Sequence, residues 1–201
     1  MHIAEGVLAW PILAGGTGIA LGGVAIGLHR LDANRIPQTA ILAAAFFVAS
    51  LIHVPIGPGN MHLILNGLMG IVLGWACVPA ILVALLLQGI LFQFGGLTAL
   101  GVNTVIMALP ALACGVLFKA LRPAGKRATA GLAFALGAGA VLGSGLVAAA
   151  ALTLSGQAFV SAAKLLFVAH LPVSGVEGAL TAGIVGFLGT VKPAILYDSG
   201  A

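Results

Sequence analysis

The chain opens Met1-His2-Ile3-Ala4-Glu5, and that opening can do chemistry. Methionine is normally removed only when the next residue is small. Histidine is bulky, so Met1 is expected to stay and to keep a free α-amine. His2 adds a backbone nitrogen and an imidazole. With the amide deprotonated, these nitrogens close two fused chelate rings on one ion, and His62 is the candidate for the remaining corner of a square. Square-planar nitrogen ligation suits Ni²⁺ or Cu²⁺, and its strong field also suits low-spin Co²⁺. Zn²⁺ favours a tetrahedron instead.

The other polar residues have weaker claims. Glu5 is placed to hydrogen-bond an imidazole or the Met1 amine, as groups behind a ligand shell do. His53 either supports a ligand or is a satisfied interfacial histidine. His170 reads as the end of a short helix. Glu177 is placed near the start of the last span, where a carboxylate favours the positive helix end or pairs with Lys164. Cys77 and Cys114 sit inside apolar runs and read as small buried hydrophobes.

These residues must be carried by elements that cross a membrane. Of the 201 residues, 61% are hydrophobic and only 6% charged, against about 25% charged in a soluble domain. The net charge of +4 is loop charge and not a nucleic-acid footprint. The 30 glycines suit helices that approach closely in lipid. The acidic start reads as no signal peptide. The expected fold is an all-α integral membrane bundle, residues 1–201 as one domain, with about seven spans of roughly 20 residues each. They cover about Val7 to Leu28, Ile36 to Ile56, Met61 to Trp75, Val78 to Phe94, Asn103 to Leu121, Thr129 to Leu154 and Val173 to Thr190. A short helix from about Gln157 to His170 precedes the last span and is cut off by Pro172.

With these spans, all but one of the eight basic residues fall on one side: Arg30, Arg35, Lys119, Arg122, Lys126, Arg127 and Lys192, with Lys164 the exception. Positive loops lie inside, so the N-terminus is expected outside and the C-terminus in the cytoplasm. His2, His53, His62 and His170 then gather on the outer face and only His29 lies opposite. The loop Gly95-Gly96-Leu97-Thr98-Ala99-Leu100-Gly101 falls on the same outer face. It is too glycine-rich for a helix and reads as a wall or lid over a polar pocket. Small-residue stripes at Ala14, Gly18 and Gly22, at Gly15, Ile19, Gly23 and Gly27, and at Gly131, Ala135, Gly139 and Gly143 predict close helix packing. They serve either internal packing or a sliding surface against a partner.

The opening Met1 through Gly6 resembles the start of the CbiM/NikM proteins, the substrate-specific components of energy-coupling factor transporters for cobalt and nickel. Pro55-Ile56-Gly57-Pro58-Gly59-Asn60-Met61-His62-Leu63, continuing through Asn66, Gly67, Gly70 and Gly74, is similar to a second signature of that family. So are the block from Gln88 through Phe94-Gly95-Gly96-Leu97-Thr98 to Asn103 and the ending from Leu171-Pro172 through Glu177 to Pro193. Phe94 departs from the pattern, standing where many relatives carry a polar residue.

The resemblance implies that cobalt(II) or nickel(II) is the transported substrate. It implies ligation through the Met1 amine, the His2 backbone and ring nitrogens and His62, with the loop from Gly95 to Asn103 closing over the ion. Asn60 and Asn103 are candidates to tie the loops together. The implied partners are a transmembrane coupling component, two cytoplasmic ATPase subunits and a small accessory membrane protein, and the implied location of this chain is a bacterial plasma membrane. The chain has no phosphate-cradling loop of its own, so ATP hydrolysis is expected on the partners. Two rival readings are a vitamin-binding component, which would want aromatic anchors, and an intramembrane metalloenzyme, which would want an open coordination position and a base.

Overall fold

A computed structural model of the chain describes residues 2–56, 59–121 and 124–197, with residues 53–56, 59–61 and 197 given as main chain only. Met1 lies outside the described residues. The helices are α1 (Trp10–His29), α2 (Ile36–Ala49), α3 (Asn66–Leu73), α4 (Cys77–Phe92), α5 (Leu100–Leu121), α6 (Lys126–Ser155), α7 (Val160–Val191) and α8 (Ala194–Tyr197). Between α2 and α3 stand the short strands β1 (His53–Ile56) and β2 (Gly59–His62). Proline in the first turn opens both α1 and α2, where a missing N–H costs nothing and a fixed φ helps.

Five segments are long and apolar enough to cross a membrane: Trp10–His29, Asn66–Phe92, Leu100–Leu121, Lys126–Ser155 and Gln157–Val191. Large apolar side chains such as Ile19, Leu146, Leu154, Leu165 and Phe187 stand exposed around the bundle, far beyond the patches a soluble protein leaves open. Lipid covers them, and the chain is a multi-pass membrane protein.

Three expectations need correction. The chain is not wholly helical. The second span stops at Ala49 rather than Ile56, and the chain turns back on itself as an antiparallel ladder that pairs His53 with His62 and Pro55 with Asn60. Pro55, Gly57, Pro58 and Gly59 explain this, since a helix cannot be carried through that run. The third span is also much shorter than Met61 to Trp75, because α3 holds only eight residues. Finally, the short helix and the seventh span are one 32-residue helix with Pro172 inside it. The His170 ring and the Ser174 hydroxyl both bind main-chain carbonyls beside the proline, at Leu166 (2.6 Å) and Leu171 (2.7 Å). Such polar neighbours let membrane helices carry proline.

The short α3 is the axis of the structure. Every one of its residues is buried, threaded between α5 and α6. A Cβ on Gly70 would strike the Ala111 carbonyl, one on Gly115 would strike that of Gly70, and one on Gly67 would lie 2.9 Å from the Gly137 Cα. Glycine is what admits main chain this close to main chain. The most extensive contact is between α6 and α7, where Gly137 receives Thr181.

Not every glycine packs. On α1, Gly16, Gly23 and Gly27 lie against Val102, Val78 and Pro79, whereas Gly15, Gly18 and Gly22 meet nothing within 4 Å. On α6, Gly131 and Gly139 are likewise open and Gly143 rests on Pro110. The stripes therefore divide into an inward face and an open one.

At one end of the bundle Arg30, Arg35, Trp75 and Lys119 come together. His2, His62 and the Gly95–Gly96 loop occupy the opposite ends of α1, α4 and α5.

Candidate metal site

The segment before α1 folds under the loop that joins α4 to α5. Asn103, in the first turn of α5 and almost fully buried, accepts from Ile3 N–H at 2.9 Å and donates to Ile3 C=O at 3.1 Å. One side-chain amide thus pairs with one peptide unit and fixes the register of the N-terminal segment. Glu5 accepts from Thr98 N–H at 3.1 Å, tying the segment to the loop from the exposed side. Gly95 (φ +81°) and Gly96 (φ +102°) turn the loop in conformations that disfavour side chains. A Cβ on Gly95 would meet Asn103 Nδ2 at 2.8 Å and His2 Cβ at 3.3 Å, and a Cβ on Gly96 would strike Glu5. The loop is thus closed on the N-terminal segment, with glycine required at both points.

This packing brings the His2 and His62 rings together, with centroids 5.1 Å apart and planes tilted by 35°. Each ring is held by a hydrogen bond through one nitrogen. His2 Nε2 binds the Gln88 side-chain oxygen at 2.7 Å. That oxygen only accepts, so Nε2 carries the proton and Nδ1 keeps the lone pair. His62 Nδ1 donates to the Leu63 carbonyl at 2.9 Å, so a metal bond from this ring falls to Nε2. Burial lowers the pKa of His2 from 6.5 to about 3, the Gln88 hydrogen bond opposing the shift. The His2 ring is therefore neutral at physiological pH, as a ligand must be. Phe94 lies beside His2 at 5.8 Å between centroids and continues through Phe92 to Phe47. Phe94 keeps this position apolar, where the resemblance implied a polar group.

His62 is held from behind by the start of α3. Glu177, almost fully buried, receives the N–H groups of Ile64 and Leu65, the latter at 2.9 Å. Leu65 takes a left-handed φ of +54°, so the chain turns sharply into α3 and the carboxylate sits at the positive end of that helix. Asn66 completes the anchor through Nδ2, which donates to the Met107 carbonyl (3.1 Å) and the Ser144 hydroxyl (2.9 Å).

Of the residues singled out from sequence, His2, His62, Glu5, Gly95, Gly96, Thr98 and Asn103 come together. His53 is brought opposite His62 in the ladder rather than on helix two, and Asn60 opposite Pro55. Only their main chain is described. His170 is not at a helix end but inside α7, against Gly145. Glu177 is mid-helix, bound to main chain and not paired with Lys164.

Gln88 was not singled out as a site residue. Its signal is plain in retrospect: a glutamine within an otherwise apolar membrane helix is functional by default. Among the described residues no three His, Cys, Asp or Glu side chains form a metal cage.

A lipid-embedded helical bundle with two histidine rings brought together at one end is a membrane protein with a candidate metal site. The chain belongs to the CbiM family: the family model described as "Cobalt uptake substrate-specific transmembrane region" matches residues 2–195. It is 45% identical over 199 residues to a Haemophilus influenzae protein named "Putative metal transport protein", covering 98% of this chain and 97% of that one. It is 34% identical over 212 residues to the cobalt transport protein CbiM of Sorangium cellulosum, covering 98% and 94%. A solved structure titled as a transition metal transporter superposes with a TM-score of 0.75 at 27% identity, covering 95% of this chain and 93% of that one. The family is one of metal-transporter components, not of enzymes.

Proposed function

We propose that this chain captures cobalt(II) or nickel(II) for an ATP-driven importer of the energy-coupling factor type, holding the ion in a square of nitrogens. The donors are the Met1 α-amine, the His2 backbone nitrogen, His2 Nδ1 and His62 Nε2. The observation that carries this reading is the meeting of the His2 and His62 rings, each oriented by a hydrogen bond through one of its nitrogens. In the chelate expected from Met1 and His2, the ring donor must be Nδ1, and that is the nitrogen Gln88 leaves with its lone pair. Two imidazoles on neighbouring corners of a square, with metal–nitrogen bonds of about 2.0 Å, have centroids roughly 4.5 Å apart. The separation of 5.1 Å needs little adjustment to meet that.

In this reading the histidine end faces outward and the basic end faces the cytoplasm of a bacterial cell, in accord with the distribution of positive charge. A coupling membrane protein and two ATPase subunits supply the power stroke, and a small accessory membrane protein assists loading. The open stripe of α1 around Gly15 and Gly18 is the surface offered to the coupling protein. The test is to grow cells with Co²⁺ and Ni²⁺, purify the chain and count bound metal. About one ion per chain is expected, falling below a tenth of that in His2→Ala and His62→Ala. Full occupancy in either variant would contradict the assignment.

A further inference from the structure

The His2 ring is flanked on one side by a side chain with no lone pair to offer. Phe94 stands 5.8 Å from it between centroids, the planes tilted by 35°, within the range of offset and tilted aromatic pairs. Main chain holds the phenyl in this place. Gln93 ends α4 in a left-handed turn with φ +57°, and the reversal leaves Phe94 beside His2. Phe94 N–H donates to the Gln88 carbonyl at 3.3 Å, and Phe94 C=O accepts from Gly96 N–H at 3.0 Å. Gln88 thus serves both rings, His2 through its side-chain oxygen and Phe94 through its main chain. One residue of α4 sets the donor ring and the phenyl against each other. Behind Phe94 stand Phe92 at 5.7 Å and, 5.7 Å further on, Phe47 of α2, so the phenyl is backed by hydrocarbon.

The apolar shell about a metal site controls how much water reaches the ion, and the two candidate ions differ in their need for it. Nickel(II) suits four nitrogens in a plane. Low-spin cobalt(II) tolerates the plane but gains more than nickel(II) from a donor outside it. Because the two ring planes are tilted by 35°, the phenyl extends out of the imidazole plane. It therefore extends out of the plane of a square that includes that ring. On this flank the ion meets carbon where water or a polar side chain would otherwise stand.

We propose that Phe94 is a specificity-determining residue, its ring withholding a donor from outside the square and turning the site toward nickel(II) over cobalt(II). The inference rests on the metal reading above and adds to it the choice between the two ions.

The test is isothermal titration of the purified full chain with nickel(II) and with cobalt(II) in one buffer, for wild type and for Phe94→Leu, Phe94→Ser and Phe94→His. Wild type is expected to bind nickel(II) at least about 100-fold more tightly than cobalt(II). Phe94→Leu keeps the flank apolar and should hold that ratio within about twofold. Phe94→Ser opens room for water, and Phe94→His brings a nitrogen donor. Each is expected to narrow the ratio about tenfold or more, through a rise in cobalt(II) affinity.

Equal affinity of wild type for the two ions would overturn the proposal. So would a ratio unchanged in both polar variants, or one narrowed as much in Phe94→Leu, which would mean that the ring only packs the loop. Binding of neither ion to wild type would overturn the metal reading itself, and this inference with it. If Phe94→His does not fold, Phe94→Ser decides alone.

Discussion

Asn103 and Ile3 are joined by a reciprocal pair of hydrogen bonds, one into each polar group of a single residue's main chain, across a hundred residues of sequence. The pairing holds the N-terminal segment at a fixed depth, and His2 is the next residue along it. Asn103→Leu leaves the buried Ile3 N–H and C=O unpaired, at about 1–3 kcal/mol each. Asn103→Asp keeps one bond but turns an acceptor toward the Ile3 carbonyl. Both variants are expected to lose at least about tenfold in metal affinity with helix content unchanged by circular dichroism, the leucine variant losing more. Wild-type affinity in Asn103→Leu would show that the pairing does not position the site.

The glycine loop makes a graded prediction. Gly6 has a φ of +77° with open space around it, whereas Gly96 has a φ of +102° and its Cβ would strike Glu5. Gly6→Ala should carry only the backbone penalty, about 1–2 kcal/mol. Gly96→Ala must also displace Glu5 from Thr98 and open the loop. Thermal midpoints measured with and without Co²⁺ should show Gly96→Ala losing the metal-induced increment and Gly6→Ala retaining it.

Gln88→Leu removes the acceptor that fixes the His2 tautomer while keeping an apolar residue of similar size in α4. Loss of such a supporting hydrogen bond to a ligand histidine costs about 10–100-fold in metal affinity. Isothermal titration with Ni²⁺ reads this directly. An effect below twofold would mean that the tautomer is set elsewhere.

Glu177→Gln keeps the oxygen that accepts from Ile64 and Leu65 but replaces the other with an amide nitrogen that faces the Leu65 N–H donor. A loss of about 1–3 kcal/mol in stability is expected, together with weaker metal binding, because the strand carrying His62 leads straight into this turn. If stability falls and affinity does not, the carboxylate serves the fold alone.

Much of this was legible from residue types. The long spans declared themselves because lipid-facing helices must be apolar all round, and the Asn103–Leu121 and Thr129–Leu154 spans needed only a few residues added at their ends. The hairpin was not legible, because an apolar run reading Leu51-Ile52-His53-Val54 serves a helix and a strand equally well, and only Pro55 and the glycines beyond it decide. Continuity of α7 was hidden by Pro172, whose effect in a membrane depends on neighbours such as His170 and Ser174. His2, His62, Glu5, Thr98 and Asn103 stood out as polar residues at apolar boundaries. Gln88 and Glu177 were harder to place, since their partners are a ring 86 residues away and main-chain N–H groups more than a hundred residues away, and neither distance leaves a local pattern.

The central claim is that the chain's own terminus is a ligand. A single residue added before Met1 moves the free amine out of chelating reach and leaves every side chain in place. Bound Co²⁺ or Ni²⁺ would be counted by mass spectrometry for both forms. The account predicts about one ion per chain in wild type and near none in the extended form. Equal occupancy in the two would contradict it and would move the site to side-chain nitrogens alone.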